Sequence, residues 1–522
     1  MTNRIVTRLI RWRWLFFVCA ILLAVPAHFV SSRLDFDHSI ENMFAKNDEL
    51  LIPYRRLKKM FGGNEVVLAV YTDSDLLTPA GFLRIQKLTR QLESVSGVES
   101  TVSISTTPLG SAIVTNSPAA KKMLSVMEGY AVGPARDGKY DTVSIVCLLD
   151  PDQQAESRGE AIRTIRWHVQ EHDIPGVIAG EPVMVVDGFR FLSLDGITLG
   201  YTSLVLLSLT ILICFRSLRW LLIPLAVIQL TLILTQATLV LSRLQLSMVS
   251  SMLTAIVTVI AVATVIHVIV RFREARAAGG SKLKAIVQAG RMLTIPIVLA
   301  CLTDAVGFAA LFRSRVGPVQ DFGVMMAIGA LMVIVSVAVL VPALALVGRF
   351  DVDPRRAWGE RSLDTSLARL VDLLLKRPKL LGSISAIVAL VVALGAMRLN
   401  VETNFTRNFR SDSEIVKSYE VVESQLGGAG VLDLLVESPQ PLDIKFLDRI
   451  RKLQSRLRTE VTVRQEDGPS ALGLTKVFSL IDMLDAGESF PVVNAIWRVL
   501  PVTRKVETLR GLLPKMVPTL YN

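Results

Sequence analysis

Four polar side chains within the most apolar part of this sequence are candidates for chemistry: Thr264, His267, Thr303 and Asp304. Asp304 is the only acid inside any long apolar segment. An ionisable side chain in hydrocarbon costs at least ~2.5–3.5 kcal/mol on insertion scales, so such residues are usually functional. Histidine titrates nearer neutral pH than other side chains, and threonine hydroxyls can hydrogen-bond a carboxyl group in either protonation state. We predict a proton relay through these four residues.

Two of these residues also have a purely structural interpretation. Asp304 can be a neutral acid that fixes helix packing. His267 lies one helical turn from Arg271 and can be an interfacial residue bound to lipid phosphate or backbone. At 1.5 Å per residue, Asp304 lies roughly 17 Å from the cytoplasmic end of its segment and His267 about 6 Å from its own. Water or hydroxyl groups would therefore have to connect them.

The segments that hold these residues are long enough to cross a bilayer. The chain has 522 residues, 51% of them hydrophobic, and its mean hydropathy of +0.48 indicates a multi-pass membrane protein. A spanning helix needs about 20 apolar residues. Seven segments meet this requirement, and they lie near 14–31, 197–215, 221–241, 246–270, 293–312, 322–347 and 380–397.

Basic residues predict the orientation of these spans. They cluster at the amino terminus, between spans two and three, after span four and after span six, whereas the short loops on the opposite side carry only Arg243, Arg313 and Arg315. Positive charge favours the cytoplasmic side. The amino terminus is therefore predicted to be cytoplasmic, with residues 32–196 and 398–522 outside. The net charge of +11 is accounted for by these flanks, so a nucleic-acid partner is not expected.

The first external segment alternates between strand and helix patterns. Thr78 is a predicted N-cap, followed by Pro79 at the first helical position. Strand–helix–strand, repeated twice, is the ferredoxin-like pattern. The predicted strands are 65–72, 98–105, 141–149 and 177–186, and the predicted helices are 78–95 and 155–172.

The sequence contains an internal repeat with a constant offset of 365 residues. The segment Arg33–Phe44 recurs as Arg398–Phe409, and Tyr54 corresponds to Tyr419. The second copy is predicted to form a strand at Val431–Glu437 and a helix around Phe446–Leu457. Such repeats are common in membrane transporters. The predicted organisation is a terminus and first span (1–31), an external domain (32–196), spans two to six (197–347), an amphipathic linker (348–379), span seven (380–397) and an incomplete second external domain (398–522).

Two cytoplasmic stretches, 281–292 and 363–375, have amphipathic patterns. Membrane-surface helices and simple juxtamembrane connectors explain them equally well. Of the four cysteines only Cys147 lies outside the apolar spans, so no disulfide framework or CxxC metal site is available. No nucleophile elbow, HExxH or Walker motif is present. No catalytic residue, cofactor or metal is expected, and the protein is not expected to be an enzyme.

Several motifs give the chain a family resemblance. They are Ala263–Glu274 (ATVIHVIVRFRE), Leu302–Phe308 (LTDAVGF), Asp321–Val324 (DFGV) and Pro342–Leu344. With the repeat, they resemble the resistance-nodulation-division (RND) superfamily, and within it the MMPL-type and hopanoid-associated lipid exporters. The resemblance implies an RND-type helix bundle of seven spans with a ferredoxin-like periplasmic porter domain, whose second copy is incomplete.

The chain departs from that family in two ways. Many members carry an acid four positions before the histidine of span four, where this chain has Ala263. Members also have two complete halves with twelve spans, whereas this sequence stops at Asn522. We expect a truncated gene or fragment, with a split transporter or a shortened, repurposed protein as alternatives.

The resemblance implies a proton-driven exporter of lipids or other hydrophobic molecules in the bacterial inner membrane, with two periplasmic domains. Expected partners are the hydrophobic substrate, membrane lipids, and a periplasmic carrier or the missing C-terminal half; homo-oligomerisation stays open. One alternative is a sterol- or lipid-sensing membrane protein without transport, which Ala263 slightly favours. The other is an inactive fragment of a transporter.

Overall fold

The computed structural model describes residues 2–34, 51–61, 65–106, 127–136, 139–151, 153–246, 248–347, 360–399, 409–428, 443–463 and 471–474, with a few residues outside these ranges. The chain divides into a helical unit (Met1–Asp48 and Phe189–Val401) and a polar unit (Glu49–Gly188 and Glu402–Asn522). In chain order the elements are α1 (Thr2–Arg11), α2 (Arg13–Ser31), α3 (Leu51–Phe61), β1 (Val66–Thr72), α4 (Pro79–Glu93), β2 (Val98–Val102), β3 (Thr142–Leu149), α5 (Ala155–Gln170), β4 (Val177–Ala179), α6 (Glu181–Phe215), α7 (Leu218–Leu241), α8 (Leu253–Ala277), α9 (Lys282–Ala309), α10 (Gly317–Leu344), α11 (Glu360–Lys376), α12 (Pro378–Ala396), α13 (Glu414–Leu426), α14 (Ile444–Glu460), β5 (Thr462–Val463) and β6 (Ala471–Leu472).

Seven helices of the described chain are long and apolar enough to cross a membrane: α2, α6, α7, α8, α9, α10 and α12. Their number and order confirm the sequence prediction. Helices α7, α8 and α10 pack against one another at the centre of the helical unit, α2 lies against α7 and α10, and α9 lies against α8 and α10. The buried core between them is mostly aliphatic. The residues that could do chemistry are therefore held on rigid, apolar helices.

Several helix boundaries differ from the prediction. Span two begins at Glu181 rather than near residue 197, because the polar turns before the apolar segment continue the same helix. The amphipathic stretch 281–292 is the first part of α9 and not a separate helix. The stretch 363–375 lies in α11, whose leucines are exposed and whose described neighbour is α12. Its place at a membrane surface stays a prediction.

Helix α1 was not predicted from the sequence. The segment Thr2–Arg11 is short and rich in arginine, so it does not show an extended apolar pattern. Its apolar side chains Val6 and Ile10 are buried in the core of the helical unit. Docking on α9 and α10 accounts for this helix better than intrinsic propensity.

The polar unit contains a four-stranded antiparallel sheet in the order β2-β3-β1-β4. Strands and helices follow one another as β1-α4-β2-β3-α5-β4. Alternate side chains of β1 and β3 enter the core that also contains the buried residues of α4 and α5. On β3 the other face is buried as well. The sheet therefore has covered surfaces on both sides, as expected when a further element packs on it.

Two predicted strands are shorter than expected. The fourth ends at Ala179 instead of Val186, because Gly180 has a φ of 138° and Pro182 favours the first turn of a helix over a strand interior. The second ends at Val102 and gives way to a single 3₁₀ turn at Ile104–Thr106. The helix predicted at 78–95 begins after its N-cap Thr78, as expected.

The second copy of the repeat is described in part. Its helix α14 confirms the prediction around Phe446–Leu457. Of the strand predicted at Val431–Glu437, the described residues Leu432, Leu434, Val436 and Glu437 belong to no strand, and the others lie outside the described residues. Helix α13 packs on the sheet of the first copy, where Val422 and Leu426 meet Val70 and Ala179. The polar unit thus combines elements of both copies.

Candidate functional site

Helices α8 and α9 bring two of the four predicted relay residues to one place. Thr264 is buried on α8, and its hydroxyl donates to the carbonyl of Ile260 at 2.8 Å. The same hydroxyl lies beside the thiol of Cys301 on α9. Asp304 lies one helical turn further along α9, half-buried, and its carboxyl group interacts electrostatically with that thiol. The structure therefore links Thr264 to Asp304 through Cys301, which the sequence analysis had not considered.

The other two predicted residues lie apart from this contact. The hydroxyl of Thr303 is exposed and donates to the carbonyl of Ala300 at 2.7 Å, on its own helix. His267 is exposed on α8, one turn beyond the buried Thr264. In the helical unit as described, neither side chain forms a hydrogen bond or an ion pair with Asp304. Of the four predicted residues, the structure therefore brings Thr264 and Asp304 to one place and leaves His267 and Thr303 on the surface.

An uncovered stripe runs along α8 and includes His267. Val259, Ala263, His267 and Val270 are all exposed and recur at intervals of four or three residues, so they share one helix face. Ala263 is the position at which the resemblance predicts an acid. The missing acid and the histidine therefore lie together on a face that no described helix of this unit covers.

A buried hydroxyl on α10 lies at the same depth as Thr264. Ser250, in the short 3₁₀ turn before α8, donates to the sulfur of Met325 at 3.1 Å, and Val257 lies against Gly329. These two contacts show that α8 and α10 run parallel, and they align Thr264 with Ser336 within about one helical turn. Ser336 is fully buried, and its hydroxyl has no hydrogen-bond partner among the described residues.

A second polar cluster lies in the polar unit, where α5, the start of α6 and α13 meet. Arg166 of α5 forms a salt bridge with the buried Asp187 and a longer one, at 3.4 Å, with Glu414 of α13. Tyr419 of α13 is hydrogen bonded to the backbone of Gly180, and burial raises the pKa of its hydroxyl to about 12. This cluster fixes the second repeat against the first. Its residues come from separate segments of the sequence, so no local pattern predicts their contacts.

Neither cluster resembles a metal centre. Among the residues that the structure describes, no group of three or more histidine, cysteine, aspartate or glutamate side chains could hold a metal ion. The polar contacts of α8 and α9 consist of one carboxyl group, one thiol and one hydroxyl. Such groups can hold, donate or accept a proton.

Comparison with known proteins gives a family. The model of the MMPL family matches residues 45–381, which is more than half of the chain. No curated protein matches. A solved structure described as an X-ray crystal structure of a heavy metal efflux pump is similar with a TM-score of 0.42 and 13% identity, over 74% of this chain and 51% of that one. This chain thus spans about half the length of that pump.

The family match covers the part of the chain that includes six of the seven candidate spans in whole or in part, together with the sheet of the polar unit. The seven apolar helices make the protein a multi-pass membrane protein. With the motifs of α8, α9 and α10, these observations agree with one assignment: the chain belongs to the MMPL family, within the RND superfamily.

Proposed function

We propose that the protein is part of a proton-driven RND-type exporter of lipids or other hydrophobic molecules. One observation carries the proton-driven part: the Thr264–Cys301–Asp304 contact places an acid within the apolar part of α9 beside a buried thiol and hydroxyl. Placing a carboxyl group inside a bilayer costs free energy, so such groups usually have a function. Proton binding and release there would alter the packing of α8 against α9.

The relay that we propose is centred on Asp304 and Thr264. Ser336, buried on α10 at the depth of Thr264, would be a further hydroxyl group of the relay. His267 would serve as an entry group, since it lies one turn beyond Thr264 on α8. Thr303 would take part only after its hydroxyl leaves the carbonyl of Ala300.

The proposed substrate class rests on the family, whose members include lipid exporters. We propose that the polar unit is a ferredoxin-like porter domain on the periplasmic side of the bacterial inner membrane. Its sheet order and its β-α-β-β-α-β succession support this proposal. The cluster of basic residues near the ends of the spans supports a cytoplasmic amino terminus.

We also propose a second half-bundle as a partner. Helices α2 and α12 occupy equivalent positions of the repeat, since Arg13–Ser31 and Pro378–Ala396 are separated by the same 365 residues. Helix α2 packs on α7 and α10, whereas every described residue of α12 but one is exposed. A bundle equivalent to α6–α10, in the same or another polypeptide, would cover α12 and the uncovered stripe of α8. A periplasmic carrier and self-association are further partners that the family suggests.

The experiment uses the full chain in proteoliposomes with a pH-sensitive dye inside. An imposed pH gradient is expected to dissipate faster with the native protein than with Asp304→Asn. Asp364→Asn, an exposed acid of α11, is the matched control and should behave as the native protein. Equal dissipation by native protein and Asp304→Asn would refute the proton-driven mechanism.

One observation favours a second candidate, a lipid-sensing membrane protein without transport. Ala263 replaces the expected acid on the exposed stripe of α8, so this half of the molecule has one carboxyl group fewer than the family pattern. A sensor would bind lipid without moving protons. Native protein that binds lipid and leaves the pH gradient unchanged would support this candidate over the exporter.

A further inference from the structure

Helix α1 has two opposite faces, and only one of them is used within the helical unit. Val6 and Ile10 are buried against the rest of the bundle, and Val6 lies against Gly290 of α9. Arg4, Arg8 and Arg11 are exposed. With about 100° of rotation per residue, these three arginines fall within about 60° of one another, on the side away from Val6 and Ile10. The helix is therefore anchored by its apolar side and presents a stripe of positive charge.

Among the residues that the structure describes, no acid forms an ion pair with this stripe. The sequence of α1, TNRIVTRLIR, contains no aspartate or glutamate. The ion pairs between described residues do not include Arg4, Arg8 or Arg11. Three guanidinium groups on consecutive turns of one face provide a fork geometry suited to phosphate oxygens. The stripe has the charge and the spacing of an anion-binding surface.

The position of α1 along the bundle places this stripe at the level of lipid headgroups. Gly290 lies in α9 before residue 293, where the part of that helix that is predicted to cross the bilayer begins. At its other end, α1 is separated from the spanning helix α2 by Trp12 alone. Trp12 and Trp14 are each about half exposed, as expected for side chains at a membrane interface. We therefore expect the arginines to lie next to the phosphate layer of the bilayer.

We propose that the Arg4–Arg8–Arg11 stripe of α1 binds the headgroups of anionic phospholipids in the surrounding membrane. The docked face fixes α1 before any lipid arrives, so little ordering is required on binding. The interaction needs a headgroup with net negative charge, because a zwitterionic headgroup carries its own ammonium group. This binding does not depend on transport and concerns a different surface from the Asp304 contact.

The test measures binding of short-chain phosphatidylglycerol to the purified full chain by native mass spectrometry. Replacing all three arginines with glutamine should weaken binding about a hundredfold, since each basic residue near an anionic surface contributes about fivefold. The single variant Arg8→Gln should weaken it about fivefold and is available if the triple variant does not fold. Replacing the three arginines with lysine should keep most of the affinity, because the charge remains.

The matched control removes three exposed lysines of the polar unit, Lys417, Lys445 and Lys452, in favour of glutamine. It changes the net charge equally and should leave phosphatidylglycerol binding unchanged. Short-chain phosphatidylcholine should bind weakly to every variant. Equal binding by the native protein and Arg8→Gln would overturn the proposal, and so would an equal loss in the lysine control. Displacement of the lipid by an equal concentration of inorganic phosphate would show a free-phosphate site instead.

Discussion

Thr78 and Asp443 perform the same task at equivalent positions of the repeat. The Thr78 hydroxyl oxygen accepts the N–H of Gly81 at 3.2 Å, and the Asp443 carboxylate accepts the N–H of Phe446 at 2.7 Å. Helix α4 begins directly after the first cap and α14 directly after the second. The two caps are 365 residues apart, which is the offset of the sequence repeat. The duplication is therefore visible in hydrogen bonding and not only in residue identity.

These caps give a paired prediction. Thr78→Ala and Asp443→Ala should each destabilise their helix by about 1 kcal/mol, because a buried or half-exposed N–H loses its acceptor. Hydrogen exchange is expected to accelerate at Gly81 in the first variant and at Phe446 in the second. Thr78→Ser retains the hydroxyl and should exchange as the native protein. Loss of protection in both helices from a single substitution would contradict the independence of the two caps.

A buried carboxylate in the polar unit depends on one arginine. Asp73 is almost fully buried, and its carboxylate accepts hydrogen bonds from two nitrogens of Arg84. The shortest of these bonds is 2.7 Å. Arg84→Leu should destabilise the polar unit by about 3 kcal/mol, because it leaves a buried charge unpaired.

The double variant Asp73→Asn with Arg84→Leu tests the cause of this loss. It removes the charge that Arg84 neutralises, while the amide oxygen can still accept the N–H of Asp75. Denaturant unfolding should show partial recovery compared with Arg84→Leu. A double variant as unstable as the sum of the single variants would show that the two side chains contribute independently.

Three glycines of the helical unit are expected to respond differently to alanine. A Cβ atom at Gly329 would lie 2.8 Å from a methyl group of Val257, and one at Gly323 would lie 2.6 Å from the carbonyl oxygen of Phe308. Either substitution should cost about 1–3 kcal/mol, because the core is already filled. At Gly307 a Cβ atom would meet nothing within 4 Å.

Gly307→Ala is therefore the matched control on the same set of helices. It should be neutral or raise the free energy of unfolding by about 0.5–1 kcal/mol through helix propensity. Thermal unfolding of the three variants in detergent or nanodiscs provides the comparison. Equal destabilisation at all three positions would mean that helix packing at Gly323 and Gly329 is looser than these distances indicate.

Local pattern was enough to predict most elements of the fold. The helices after Thr78 and Asp443 follow from capping residues and apolar spacing, and the seven spans follow from hydropathy. Tertiary effects explain the rest. Helix α1 depends on the docking of Val6 and Ile10, and the early end of β4 depends on the conformation of Gly180. Neither effect can be read from a short window of sequence.

The candidate site shows the same division. Asp304 can be identified from the sequence alone, because it is an acid within an apolar segment. The rotation of α8 and α9 decides which side chains it meets, and rotation depends on which helices cover which face. Residue type and spacing therefore group Thr303 and His267 with Asp304, whereas the structure places Cys301 beside Thr264. An apolar thiol within an apolar helix carries no signal that could have identified it.

Cys147 should make the polar unit sensitive to alkaline pH. It is fully buried in β3, and burial raises the pKa of its thiol from 9.0 to about 12. Below pH 9.0 both the folded and unfolded chains keep the proton, so the thiol has no effect on stability. Between pH 9.0 and about 12 only the unfolded chain loses it, and the free energy of unfolding should fall by about 1.4 kcal/mol per pH unit.

Cys147→Ala removes the titrating thiol, so the free energy of unfolding should fall less steeply with pH, by about 1.4 kcal/mol per pH unit. The variant should also be less stable at neutral pH, because it leaves a small cavity. Tyr419 provides an internal reference, because burial raises its pKa from 10.0 to about 12 in both proteins. Denaturant unfolding of the polar unit, followed across this pH range, gives the difference between the two slopes. Identical slopes would mean that the Cys147 thiolate forms in the folded protein as readily as in the unfolded chain, and that solvent reaches the interior of the sheet.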